Sequence, residues 1–157
     1  MPQPILIIGI GNEYRRDDAA GLLVARMLQA QELPHVSIQE ATGEGTALLE
    51  AWKGADHVIL VDAVASEAPA GTIYQLDAQS GQIQPGLFAL STHAFGVAEA
   101  IELARVLGNL PAHLVIYGIE SKHFVAGVGL SPEVERAARE VVERITGLVE
   151  RWQRLEV

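Results

Sequence analysis

Two aspartates and a histidine stand at the predicted junctions between strands and helices. Asp18 follows the apolar run 5–9 through the turn sequence GIGNEYRRDD, Asp62 ends the apolar run 57–62, and His93 lies where a helix is predicted to begin. Ligands of open α/β sheets collect beyond the carboxyl ends of the strands. Two carboxylates and an imidazole that met there would suit a divalent metal such as zinc or nickel.

Each of these residues also has a structural interpretation. An aspartate at a helix start often caps the helix and faces its dipole, which applies to Asp18 and to its neighbour Asp17. Asp62 would cap the turn after its strand, and His93 would be a solvated residue at a helix start. Asn12 either orients a carboxylate through its amide or is an ordinary turn residue. The spacing alone leaves both interpretations open.

The elements that would position these residues alternate between strands and helices. Strands are predicted, from short apolar or alternating runs, at 5–9, 36–38, 57–62, 72–76 and 113–118. Helices are predicted, from apolar residues at helical spacing, from Asp17 or Asp18 to about 31 and at 42–52, 94–107 and 132–152. Ser131 and Pro132 suit the N-cap and first position of the last helix, and 78–92 is expected to form a long loop. The alternation predicts an α/β fold, a three-layer α/β/α sandwich with a mostly parallel sheet of about five strands.

Composition bounds the class of protein. The chain has 157 residues, of which 49% are hydrophobic and 20% charged, which is typical of one globular domain spanning 1–157. A net charge of −9 with scattered basic residues disfavours a nucleic-acid partner. No apolar stretch approaches the roughly 20 residues that span a bilayer, so no membrane insertion is expected. The chain has no cysteine and its N-terminus does not read as a signal peptide, so a cytoplasmic location is expected.

Three segments resemble the signatures of hydrogenase maturation endopeptidases. These segments are GIGNEYRRDDAAG, the VDAV containing Asp62 and the STHAFGVAEAIELA containing His93, and LVIYGIE and GVGLSPEV follow them. The resemblance runs from Ile5 to about the final helix, with the segments in the expected order. We therefore identify the chain as resembling this family.

The resemblance implies an activity and a site. Members of this family remove a C-terminal extension from the large-subunit precursor of a nickel–iron hydrogenase after nickel insertion. Asp18, Asp62 and His93 would bind the metal, with Asn12 as possible support, and the nickel would come with the substrate as its recognition element. Another divalent metal can substitute in crystals. The implied sheet is mixed, with 72–76 as the candidate antiparallel strand.

The chain departs from the family pattern at two places. Many relatives have a glutamate where Asp18 stands, and some have a glycine–glycine–threonine stretch where this chain has EATGEG at 40–45. The second departure leaves the identity of the partner hydrogenase open.

Two other functions fit parts of the sequence. A non-catalytic chaperone that binds the precursor through a metal would use the same residues. Gly9 and Gly11, between a strand and a helix, suggest a nucleotide-binding domain. However, Tyr14 stands where the G-x-G-x-x-G motif has its third glycine, and the negative charges of Asp17 and Asp18 would repel a pyrophosphate. The sequence also contains no cysteine nucleophile, no G-x-S-x-G elbow and no HExxH zinc motif.

Overall fold

A computed structural model describes residues 4–80 and 95–155, in which five strands form one sheet flanked by four α-helices. The strands are β1 (Ile5–Ile10), β2 (Val36–Ala41), β3 (His57–Val64), β4 (Ile73–Asp77) and β5 (His113–Glu120). The helices are α1 (Ala20–Ala30), α2 (Gly45–Ala51), α3 (Val97–Leu107) and α4 (Pro132–Leu155), and a short 3-10 helix (Arg16–Ala19) precedes α1.

The sheet has the strand order β2-β1-β3-β5-β4. Neighbouring strands are parallel except for the edge strand β4, which pairs antiparallel with β5. The predicted mixed sheet and its antiparallel strand are therefore confirmed.

Helices cover both faces of the sheet, which explains why β1 and β3 are apolar along their whole length. Ile5 and Ile7 of β1 belong to the core formed with α1 and α4. Leu6 and Ile8, which point to the opposite face, belong to the core formed with α2 and α3. Burying each such side chain contributes about 1.5–3 kcal/mol. The three-layer sandwich predicted from the sequence is the observed architecture.

Two predicted helix starts were too early. Instead of opening α1, Asp17 and Asp18 lie in the 3-10 helix, because the backbone N–H of Asp17 donates to the carbonyl oxygen of His123 at 2.9 Å. Helix α2 starts at Gly45 rather than at Thr42. The side chain of Glu44 fixes that start by accepting hydrogen bonds from the next backbone N–H groups at 2.8–2.9 Å.

The remaining helix boundaries agree with the pattern more closely. The predicted start of the third helix at position 94 lies outside the described residues, and α3 is described from Val97. Helix α4 starts at Pro132, as the sequence predicts, and runs to Leu155. Within the part of the chain that the structure describes, no helix is both long and apolar enough to cross a membrane.

Candidate active site

The carboxyl ends of β1 and β3 open into a cleft of about 520 Å³. Its walls include Asp18 from the 3-10 helix, Asp62 from β3 and Asn12 from the turn after β1. Residues 10–15 and 40–43 form much of the remaining lining. The structure therefore brings two of the three predicted metal ligands, and the predicted supporting residue, to one edge of the sheet.

Close packing of α1 on the sheet brings Asp18 towards Asp62. Gly21, in the first turn of α1, has no side chain, and a β-carbon there would collide with the carbonyl oxygens of Ile10 and Val61. The helix backbone can therefore rest directly on the ends of β1 and β3. The short segment before α1, which carries Asp18, is held beside Asp62 as a result.

Asp62 lies within β3 rather than at its end, which corrects the prediction from the sequence. Pairing with β1 stops at Val61, but pairing with β5 continues from Asp62 and Gly118 to Val64 and Glu120. The strand is longer than its apolar run suggests because β5 supports it past the end of β1. Asp62 is therefore part of a strand that is paired on one side only, since β5 continues beside it and β1 has ended.

The carboxyl group of Asp62 is in an unfavourable position for a negative charge. The residue is only 7% exposed, and its Oδ1 accepts a hydrogen bond from the backbone N–H of Ala63 at 2.8 Å. Burial raises the pKa of Asp62 well above its usual value, and the charge of Asp18 raises it further, against the lowering effect of the Ala63 N–H. A proton or a cation shared by the two carboxyl groups would relieve this repulsion.

Asp18 is partly buried, and its environment is more balanced than that of Asp62. Burial raises its pKa, whereas the positive charge of Arg15 and a hydrogen bond from the backbone N–H of Asn12 lower it. The side-chain oxygen of Asn12 accepts from the backbone N–H of Tyr14 at 2.9 Å. Asn12 thus stabilises its own turn through its side chain and contacts the Asp18 carboxylate through its main chain.

Asp17 has a different environment from its neighbour. It is fully buried, and its carboxylate accepts from the backbone N–H groups of Lys122, His123 and Ser131 at 2.7–2.9 Å and from the Ser131 hydroxyl at 3.0 Å. Burial raises the pKa of Asp17, but these hydrogen bonds outweigh it and hold the pKa below its usual value. Asp17 therefore anchors the loop 122–131 between β5 and α4 to the segment that carries Asp18.

Glu120, at the end of β5, was not singled out in the sequence. The residue is 1% exposed, and its carboxylate accepts from the backbone N–H of Ser66 at 2.7 Å, from the Ser66 hydroxyl at 2.5 Å and from the Tyr74 hydroxyl at 3.1 Å. These bonds hold the loop that follows β3 against β4 and β5. The sequence feature that could have identified Glu120 is its position as a single acid at the end of the apolar run LVIYGIE.

A surface ion-pair network lies at the mouth of the cleft. Arg26 of α1 donates to both carboxylate oxygens of Glu40 at 3.0 and 3.1 Å, and it lies 3.5 Å from a carboxylate oxygen of Glu13. All three side chains are nearly half exposed, so the network contributes little to stability. It places charged groups of both signs at the edge of the cleft.

The third predicted ligand, His93, lies outside the described residues. Phe95, two positions later, accepts a hydrogen bond from the backbone N–H of Gly45 at 2.7 Å, and Gly45 follows the cleft residues Thr42 and Gly43 closely in the chain. His123 lines a separate pocket with Arg16 and Lys122.

The described residues alone do not form a complete metal site. Within 4–80 and 95–155, no group of three His, Cys, Asp or Glu side chains is placed to hold a metal ion. Asp18 and Asp62 supply two carboxylates to a cleft with room for further ligands. A donor set of this kind needs at least one more group, from His93 or from a bound molecule.

The sequence matches a known family of proteases. Residues 22–148 match the family model described as hydrogenase maturation protease. The chain is 29% identical over 146 residues to hydrogenase 2 maturation protease of Escherichia coli strain K12, a match that covers 90% of this chain and 87% of that protein.

Solved structures agree with the sequence match. The fold is similar to the hydrogenase maturating endopeptidase HybD from E. coli, with a TM-score of 0.80, 26% identity and coverage of 95% of this chain and 93% of that chain. It is also similar to the maturation protease HycI of Thermococcus kodakarensis KOD1, with a TM-score of 0.71, 26% identity and coverage of 95% and 94%. These likenesses favour a protease over a nucleotide-binding domain or a non-catalytic chaperone.

Proposed function

The chain belongs to the hydrogenase maturation protease family, and from that membership we propose that it removes the C-terminal extension of a nickel–iron hydrogenase large-subunit precursor. The precursor already carries nickel, and the nickel is the feature that the enzyme recognises. Asp18, Asp62 and His93 complete the coordination of that ion and so place the scissile peptide bond in the cleft. The cytoplasmic location expected from the sequence is part of this proposal, and cell fractionation tests it.

The observation that carries the proposal is the pairing of Asp18 with Asp62 in one cleft. Two carboxylates whose pKa values are raised by burial, with Asp18 adding charge repulsion at Asp62, form a site that favours a cation. Carboxylate oxygens with an imidazole nitrogen suit borderline divalent metals, of which nickel is one. The cleft leaves space for the ligands that a precursor would bring with its metal.

His93 is included as the third ligand because of its place in the chain. It precedes Phe95 by two residues, and two residues span about 7 Å at most. Phe95 lies against Gly45, close in sequence to the cleft residues Thr42 and Gly43. The segment STHAFGVAEAIELA, which resembles the family's third signature, is the reason for assigning the imidazole to His93.

The test compares a nickel-loaded precursor with the same precursor prepared without metal. We expect the purified protein to shorten only the nickel-loaded form, and mass spectrometry of the intact precursor measures the fragment removed. Asp18→Ala, Asp62→Ala and His93→Ala should each abolish the mass change while the far-ultraviolet circular dichroism stays that of the wild type. Glu143→Ala, which removes an exposed acid on α4, is the matched control and should cut normally.

The outcomes separate the candidate functions. Binding of the precursor without any mass change would favour the non-catalytic chaperone. Cleavage of the metal-free precursor at the same rate as the loaded form would remove nickel from the proposal but leave the protease. Normal cleavage by the three site variants would refute the assignment of the site.

A further inference from the structure

Three large apolar side chains are exposed beside the cleft. Tyr14 is 66% exposed, and Val125 and Val128, in the loop 122–131, are 65% and 78% exposed. Single exposed apolar residues are common on protein surfaces, but neighbouring ones mark interaction sites more often. These three lie on two segments that are hydrogen-bonded to each other, and Tyr14 also lines the cleft itself.

Hydrogen bonds hold these segments together along their length. The backbone N–H of Gly127, between the two valines, donates to the carbonyl of Tyr14 at 2.9 Å, and the N–H of Arg16 donates back to Gly127 at 3.2 Å. The carboxylate of Asp17 binds both ends of the loop. The apolar side chains are thus presented by an ordered backbone, which lowers the entropy lost on binding.

Positively charged side chains lie around these apolar residues, although the protein as a whole is acidic. Arg16 and Lys122 line a pocket of about 340 Å³ together with Val128, His123 and one acid, Glu133, while the whole chain carries a net charge of −9. Arg15 lies in the same segment as Tyr14, and its Nε donates to the carbonyl oxygen of Phe124 at 3.4 Å. A partner with apolar residues surrounded by carboxylates would match this face in polarity and charge.

We propose that Tyr14, Val125 and Val128, with the basic residues around them, form a docking surface for the folded part of the hydrogenase large-subunit precursor. The proposal rests on the proposed function, because it takes the cleft as the place where the precursor tail is cut. The surface is continuous with that cleft through Tyr14. A precursor held there would lie next to the cleft that contains Asp18 and Asp62.

The chain offers a matched control on another face. Val106 and Leu107 of α3 are 81% and 59% exposed, comparable to the two valines, but they do not line the cleft. The double variants Val125→Ser/Val128→Ser and Val106→Ser/Leu107→Ser therefore remove similar exposed apolar surface. The first should weaken precursor binding and the second should not.

The test measures binding and cleavage separately, with the nickel-loaded precursor as the probe. We expect Val125→Ser/Val128→Ser to raise the Kd for the precursor and the KM for its cleavage by about tenfold or more, with the loss in KM rather than in kcat. Val106→Ser/Leu107→Ser should match the wild type in both. Circular dichroism and thermal unfolding check that both variants are folded.

Each result has a distinct meaning. An unchanged Kd and KM in Val125→Ser/Val128→Ser, or an equal loss in both double variants, would overturn the docking surface while leaving the protease intact. A wild-type protein that binds the precursor without cutting it would refute the protease, and the Kd comparison between the variants would still decide the docking surface. A wild-type protein that neither binds nor cuts would overturn both.

Discussion

Replacing Asp17 by asparagine should lower the free energy of unfolding much more than the same replacement at Asp18. The Asp17 carboxylate is fully buried and accepts four hydrogen bonds, three of them from backbone N–H groups. Hydrogen bonds to a charged group contribute about 1.5–3 kcal/mol each, although they are not additive. Asparagine keeps one acceptor oxygen, but its side-chain NH2 group would face N–H and O–H donors. We therefore expect the free energy of unfolding to fall by about 3 kcal/mol.

Urea and thermal unfolding measure this difference. For a chain of this size the loss corresponds to a fall in Tm of about 6–12 °C, from about 2–4 °C per kcal/mol. Asp18→Asn, the matched control, should not lower the free energy of unfolding, because burial raises the pKa of Asp18 and its carboxylate repels that of Asp62. Equal effects of the two substitutions, or a loss under about 1 kcal/mol for Asp17→Asn, would refute the structural role of Asp17.

The effect of Asp17 should also depend on pH in a defined direction. Because the folded protein holds the pKa of Asp17 below its unfolded value, the stabilisation is present above the unfolded pKa, near about 3.9, and is lost as pH falls through the folded pKa. The gap in stability between the wild type and Asp17→Asn should therefore narrow in acid. A gap that widened below about pH 4 would contradict this sign.

Two further predictions follow from the geometry of the site. Asp62→Asn should abolish precursor processing. It should nevertheless raise the free energy of unfolding of the metal-free protein by about 1 kcal/mol at neutral pH, because it removes a buried charge that repels Asp18. Chemical denaturation in the presence of a chelator measures this gain, and a loss of stability would count against the prediction. Gly21→Ala should destabilise the fold by about 1–3 kcal/mol or more and slow processing, because a β-carbon would push α1 away from Ile10 and Val61; unchanged stability and cleavage would show that the close approach is unnecessary.

The sheet was the part of the structure that the sequence specified best. Strands buried on both faces are nearly continuous apolar runs, so β1, β3 and β5 were recognisable without any partner information. Their ends were less certain, because the extension of β3 past Asp62 depends on pairing with β5, about 55 residues later in the chain. The edge strand β4 was predicted from its alternating pattern, whereas its antiparallel direction came from the family resemblance.

The site was only partly accessible to sequence reasoning. Asp17 and Asp18 are identical neighbours, and the pattern assigned both to a helix start. Their roles separate because the 3-10 helix directs one towards the loop 122–131, more than 100 residues away in the chain, and the other into the cleft. Glu120 was overlooked for the same reason, since its partners Ser66 and Tyr74 lie about 50 residues before it.

The most direct test of the metal site is to locate a bound divalent ion in a crystal of this protein. Crystals soaked in a zinc salt, with diffraction data collected at the zinc absorption edge, locate the ion by its anomalous signal. We predict one strong peak in the cleft, within about 2.0–2.2 Å of carboxylate oxygens of Asp18 and Asp62 and of a ring nitrogen of His93. A peak elsewhere, or a cleft ion with His93 turned away from it, would contradict the account.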